Sequence, residues 1–173
     1  MPTADAAQAK SDKIHAIAFV VRCACAATLA YALASALGLP QAVWAAMSAV
    51  IVSQEQPQET RASLKGWIIG TLLGIGVTVL VSEAASRLAV PVAVQMMLDV
   101  ALCAGIAHRF PSVRVAMWTC PIILLTAQPD VPIPIVAFHR ASEVILGALV
   151  GGAFHAATEI LVGRIARPRL SAE

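Results

Sequence analysis

Residues 61–74 read RASLKGWIIGTLLG, and residues 140–152 read RASEVILGALVGG. Each run opens on Arg-Ala-Ser and leads into an apolar helix carrying small residues at helical spacing: Gly66, Gly70 and Gly74 in the first, Gly147 and Gly151 in the second. The Gly70/Gly74 pair recurs as Gly147/Gly151, 77 positions later, and Arg22, alone in an apolar segment, falls on Asp99 at the same offset. A chain of 173 residues that uses one unit twice, in segments this apolar, reads as a membrane protein built from an internal repeat.

Composition points the same way. Hydrophobic residues make up 59% and charged residues 13%, against roughly 45–50% and about 25% in soluble domains. The mean hydropathy is +0.80. Such a chain lacks the polar residues to cover its own surface, so lipid is the expected solvent. No basic patch is interleaved with aromatics, which argues against nucleic acid as a partner.

Apolar segments fall near 14–38, 41–54, 65–82, 88–107, 114–127 and 135–163. A crossing of about 30 Å takes about 20 helical residues. The first, third, fourth and sixth segments meet that length, whereas the second and fifth are short and the fifth contains Pro121. With six spans and an inside N-terminus, Lys10, Lys13, Arg61, Lys65, Arg109, Arg114, Arg164, Arg167 and Arg169 lie on the cytoplasmic side. Only Arg87 and Arg140 lie outside. That bias predicts a multi-pass membrane protein with both termini cytoplasmic. Three spans per copy is an odd number, so the halves are expected to be inverted. The predicted fold class is therefore all-α, an integral membrane bundle of six transmembrane helices in two inverted three-helix repeats, 14–82 and 88–163. A tail precedes it at 1–13 and a basic tail follows at 164–173.

The stretch WAAMSAVIVSQEQPQETRASLKGWIIGTLLG, residues 44–74, resembles the fusaric-acid-resistance-like and aromatic acid exporter families. Their membrane module has a Trp-led short helix, a polar stretch, an Arg, and a helix with a Gly-Thr-hydrophobic-hydrophobic-Gly motif. Trp44, Arg61, Gly70, Thr71 and Gly74 fill those places, and Arg140, Gly147 and Gly151 look like the second copy. The resemblance covers most of residues 15–163 and implies efflux of aromatic or other organic acid anions; the same broad group includes dimeric plant malate channels. Typical exporters carry a large cytosolic domain or a second membrane module, and neither is seen in these 173 residues. A non-transporting subunit of a larger complex and an anion channel therefore stand beside the transporter reading.

Several residues carry candidate chemistry. A charge as deep as Arg22 must face the bundle interior or an aqueous path, either to attract a carboxylate or to pair with Asp99. Asp99 is then that static partner or a proton carrier. Trp44, Ser48, Ser53, Gln54, Trp118 and Thr119 lie on the two short segments, where matched interruptions line substrate paths in inverted-repeat transporters. Belts of tryptophan at the membrane interface are the competing account for Trp44 and Trp118. Arg61 and Arg140 each begin a glycine helix, placed to concentrate anions at a mouth or to snorkel to headgroups. Glu143, Gly147, Gly151, His155 and Glu159 form one wrapping stripe, and the glycines of both ladders are expected to pack spans three and six together. The expected partners are membrane lipid, an organic anion and a second copy in a homodimer or higher oligomer. Cys23, Cys25, Cys103 and Cys120 read as small apolar residues. No metal-ligand spacing or cofactor motif occurs, and no phosphate loop or hydrolase signature points to an enzyme.

Overall fold

The computed structural model describes residues 4–53, 57–128 and 130–166. Six α-helices follow one another: α1 (Ala4–Ala36), α2 (Val43–Val52), α3 (Pro57–Leu88), α4 (Val92–Arg109), α5 (Ala116–Thr126) and α6 (Ile133–Ala166). A single 3-10 turn, Pro111–Val113, precedes α5. The described residues contain no strand. The polar segment expected as a tail is helical from Ala4 and runs unbroken into the first apolar stretch.

Four helices are long and apolar enough to cross a membrane, over His15–Ala36, Ser63–Leu88, Val92–Arg109 and Ile133–Leu161. The other two correct the expectation of six helical spans. At 1.5 Å per residue, α2 with 10 residues and α5 with 11 reach only about 15 Å and about 16 Å, roughly half a bilayer core. α2 stops where Ser53 turns its hydroxyl back on the Ala49 carbonyl at 2.7 Å.

Local chemistry sets the turns. α1 ends in a Schellman motif: Leu39 N–H reaches the Ala34 carbonyl at 3.0 Å, and Gly38 N–H reaches Ser35 at 3.0 Å. Gly38 has a φ of 71°, the left-handed conformation that this cap requires. Pro40 then blocks continuation of the helix. Pro57 and Pro134 occupy first turns of α3 and α6, where a missing N–H costs nothing.

The packing exchanges a helix between halves. α1 packs on α2 and α6, and α2 packs on α6; in the same way α4 packs on α5 and α3, and α5 packs on α3. Each half thus lends its third helix to the other, and α3 and α6 also meet each other. Swapping the first three helices for the last three leaves this pattern unchanged.

Small residues make these contacts close. Ala26, Ala30 and Ala34 of α1 meet Ala45 and Ala49 of α2 in one fully buried cluster, and Cys103, Ala116 and Cys120 form another. The glycine ladders do pack, but against the opposite half: Gly147 and Gly151 on α2, and Gly66, Gly70 and Gly74 on the turn before α5 and on α5 itself. A Cβ built at Gly147 collides with the Ala45 backbone, and one at Gly151 with Ala49. Cβ atoms at Gly66, Gly70 and Gly74 collide with Ser112, with Val113 and Val115, and with Ala116 and Thr119. The reason is reach: a short helix has too little apolar surface to be held by side chains alone, so backbone approaches backbone.

Gly147→Ala is therefore expected to destabilise the bundle by about 1–3 kcal/mol, through forced overpacking. Gly76→Ala and Gly105→Ala, whose added methyls meet nothing within 4 Å, are expected to leave the melting temperature in detergent unchanged or raise it. Equal melting of Gly147→Ala and wild type would refute the close contact of α2 with α6.

Candidate functional site

The most structured polar cluster lies where α1 hands over to α2 and α5 hands over to α6. Arg140 and Glu143 are three residues apart on α6, so they share a face. Both are buried, Arg140 at 5% exposure and Glu143 at 2%. They nevertheless turn apart. The Arg140 guanidinium stacks on Trp44, with Cζ 3.7 Å from the ring centroid. Trp44 Nε1 donates to Gln41 Oε1 at 2.7 Å, which fixes the ring, and the Gln41 backbone N–H donates to Glu143 Oε1 at 2.7 Å. Gln41 thus braces both the platform under the cation and the neighbouring anion.

Nε and Nη1 of Arg140 are buried and have no hydrogen-bond partner. Stacking on an aromatic face stabilises a desolvated guanidinium by about 2 kcal/mol but satisfies no N–H. Buried donors left unmade are costly, and a guanidinium in that state is a site waiting for an acceptor. A cavity of about 200 Å³ lies against it, lined by Pro40, Gln41, Ile123, Thr126, Gln128, Val131, Val136, His139, Arg140 and Glu143. The walls are mostly apolar, with a few convergent polar groups, the usual composition of a small-molecule site.

A second cavity, about 410 Å³, lies at the other end of α5, between that helix and the first turns of the α3 span. Ser63, Gly66, Trp67, Ser112, Arg114, Val115 and Trp118 line it. Trp118 is 66% exposed and does not mirror Trp44, which backs Arg140. Trp67, which the sequence reading passed over, donates to the Ser48 hydroxyl at 3.0 Å and ties α3 to α2.

Arg22 is buried, as expected, although its chain neighbours Val20 and Val21 are exposed. The expected partnership with Asp99 is corrected. Arg22 Nη1 lies 2.8 Å from His155 Nδ1, and its guanidinium is 5.2 Å from the Phe19 ring. Arginine only donates, so Nδ1 is the acceptor in this contact. Asp99 sits on α4, fully buried beside Thr78, Cys103 and Cys120, and neither carboxylate oxygen has a hydrogen-bond partner. The helix exchange explains the miss: α1 packs on α6, so the residue facing Arg22 comes from the sixth helix rather than the fourth.

The remaining candidates divide. Thr119 donates to the Val115 carbonyl at 3.1 Å and Ser53 to that of Ala49, so both hydroxyls are committed to their own helix. Gln54 lies outside the described residues, as does the side chain of Arg61. Among the described residues, Gln41, Gln128 and His139 were missed. Gln41 could have been found as the polar residue after the Gly-Leu-Pro helix stop, and Gln128 from the Gln128-Pro129 pair that matches Gln56-Pro57; nothing in the local pattern marks His139.

A profile of the fusaric acid resistance protein-like family matches residues 29–154. No curated protein and no solved structure matches the chain.

The relocated contact is open to a double-mutant cycle on thermal stability. Arg22→Gln with His155→Gln is expected to show a coupling of about 0.5–3 kcal/mol, whereas Arg22→Gln with Asp99→Asn is expected to be additive within about 0.5 kcal/mol. The reverse ranking would restore the Arg22–Asp99 pair.

Proposed function

The chain belongs to the fusaric acid resistance protein-like family, and from that premise we propose that it is a transporter exporting aromatic or other small organic acids across a bacterial inner membrane. The observation that carries this reading is Arg140: a guanidinium nine-tenths buried, seated over the Trp44 ring, with two unpartnered nitrogens beside an apolar cavity. A carboxylate supplies the acceptors that Arg140 lacks, and the apolar walls take the organic body. The short helices α2 and α5 hold the two ends of this arrangement, in keeping with sites built on interrupted helices at a repeat interface.

In this reading the halves are inverted, which the exchange-symmetric packing supports. α2 and α5 bring the chain back across the membrane together with the residues that flank them. The Ser63 hydroxyl bonds the Ile51 carbonyl at 3.2 Å, placing the end of α2 beside the first turns of α3. Both termini then face the cytoplasm, as the distribution of Lys and Arg favours. The cavity at Arg140 opens toward the outer face and the one at Trp67 toward the inner face, the two ends of an alternating path. Six helices enclose little volume, and two copies form the working unit.

Purified protein in liposomes loaded with a radiolabelled small organic acid is expected to release it faster than protein-free liposomes carrying the same load. Arg140→Gln is expected to reduce that rate by roughly tenfold or more, the loss of a charge-assisted hydrogen-bonding group, while the melting temperature stays within a few degrees. Release from wild-type vesicles no faster than from protein-free ones, across a panel of aromatic, aliphatic and amino-substituted acids, would refute transport.

A further inference from the structure

The cavity beside Arg140 has two ionisable walls that feel each other's field but form no direct ion pair. Arg140 is drawn onto Trp44 and Glu143 onto the Gln41 N–H. Residues three apart on a helix are close enough to pair directly, so the connection between α1 and α2 holds them apart. Among the described residues no ion pair joins them. Glu143 is as buried as Arg140, and both line the same space together with Ile123, Val131 and Val136. A bare carboxylate entering this cavity meets a guanidinium and, one helical turn away, a second carboxylate. Like charges at such a distance in a poorly hydrated site repel strongly. A bare ammonium meets the converse problem. A molecule with both groups satisfies both walls.

We propose that the ligand of this cavity is a zwitterion: a small acid that also carries an amino group, its carboxylate on Arg140 and its ammonium on Glu143. This rests on the reading of the cavity as a transport site and narrows it to a substrate class. The volume of about 200 Å³ is below the roughly 300–1,000 Å³ of drug-sized pockets, which suits a single amino acid or an amino-substituted aromatic acid. The ammonium has three donors. Glu143 takes one, and Gln128 and Thr126, whose hydroxyl donates to the Ile122 carbonyl and keeps its lone pairs, line the same space to take others. Ile123, Val131 and Val136 then surround the apolar body.

The test uses purified full-length protein in detergent and three matched probes: L-phenylalanine, 3-phenylpropanoate, which lacks the amine, and 2-phenylethylamine, which lacks the acid. Equilibrium binding to wild type is expected to favour phenylalanine over either analogue by roughly ten- to hundredfold, the usual worth of one charge-assisted bond. Glu143→Gln is expected to weaken phenylalanine by a similar factor and to leave phenylpropanoate unchanged or tighter. Arg140→Lys, which keeps a cation without the fork, is expected to weaken both acids. Melting curves of each variant separate lost binding from lost folding.

Phenylpropanoate binding wild type as tightly as phenylalanine, or Glu143→Gln weakening both acids equally, would overturn the zwitterion while leaving an organic-anion transporter intact. Phenylethylamine binding tightest would overturn it as well. If no probe bound and neither variant changed anything, the cavity would not be a ligand site, and both readings would fall.

Discussion

A guanidinium cannot sit in an apolar bundle without something that replaces its water, and at Arg140 that replacement is only half supplied. The indole of Trp44 covers one face at 3.7 Å. It offers π density but no acceptor for the N–H groups. Everything around this cation is arranged so that the shortfall persists. Gln41 locks the indole from one side and occupies Glu143 from the other, so the nearest anion does not collapse onto the cation. The Schellman cap at Gly38 and the proline behind it set the position of Gln41. A turn motif of a few residues therefore determines whether α6 presents a spent ion pair or two separate charges.

That arrangement needs α2 to be held firmly while spanning only half the depth of a bilayer. Its grip comes from backbone contact: Gly147 and Gly151 leave room for the carbonyl side of Ala45 and Ala49, and α1 closes the other flank with Ala26, Ala30 and Ala34. In lipid there is no hydrophobic drive to bring helices together, so close van der Waals contact between small residues carries the association. The same logic acts at the other end, where Gly66, Gly70 and Gly74 receive the turn before α5 and α5 itself. The glycines thus serve the site indirectly, by fixing the short helices whose ends frame both cavities.

Much of this was legible in the sequence because it rests on residue types with few alternative uses. Glycine every fourth residue in an apolar helix has to admit a neighbour, and a repeated run of this kind implies a repeated helix. Arg22 had to be buried inward, and it is; Arg140, expected at a mouth or among headgroups, is buried as well, because Trp44 covers it. The sequence could not say which neighbour each ladder would admit. That depends on the exchange of α3 and α6 between halves, a long-range choice that local pattern does not encode. The Arg22–Asp99 pair failed for this reason, and His155 took the place because it rides on the exchanged helix. The short segments were visible as short. Reading them as full spans overlooked that a half-length helix is stable when glycine ladders cradle it. Gln41 and Trp67 were missed because their partners, Glu143 and Ser48, are 102 and 19 residues away.

The central claim is that Arg140, seated on Trp44, is the group that meets the ligand. With Trp67→Phe and Trp118→Phe in place, Trp44 is the one remaining indole, and its fluorescence reads the cation on its face directly. Titrating this protein with L-phenylalanine, whose own emission is far from that of indole, is expected to give a saturable change in Trp44 emission that is lost in the Arg140→Gln background. An emission spectrum unaltered at saturating ligand, in protein shown to be folded and to bind, would place the ligand elsewhere and contradict the account.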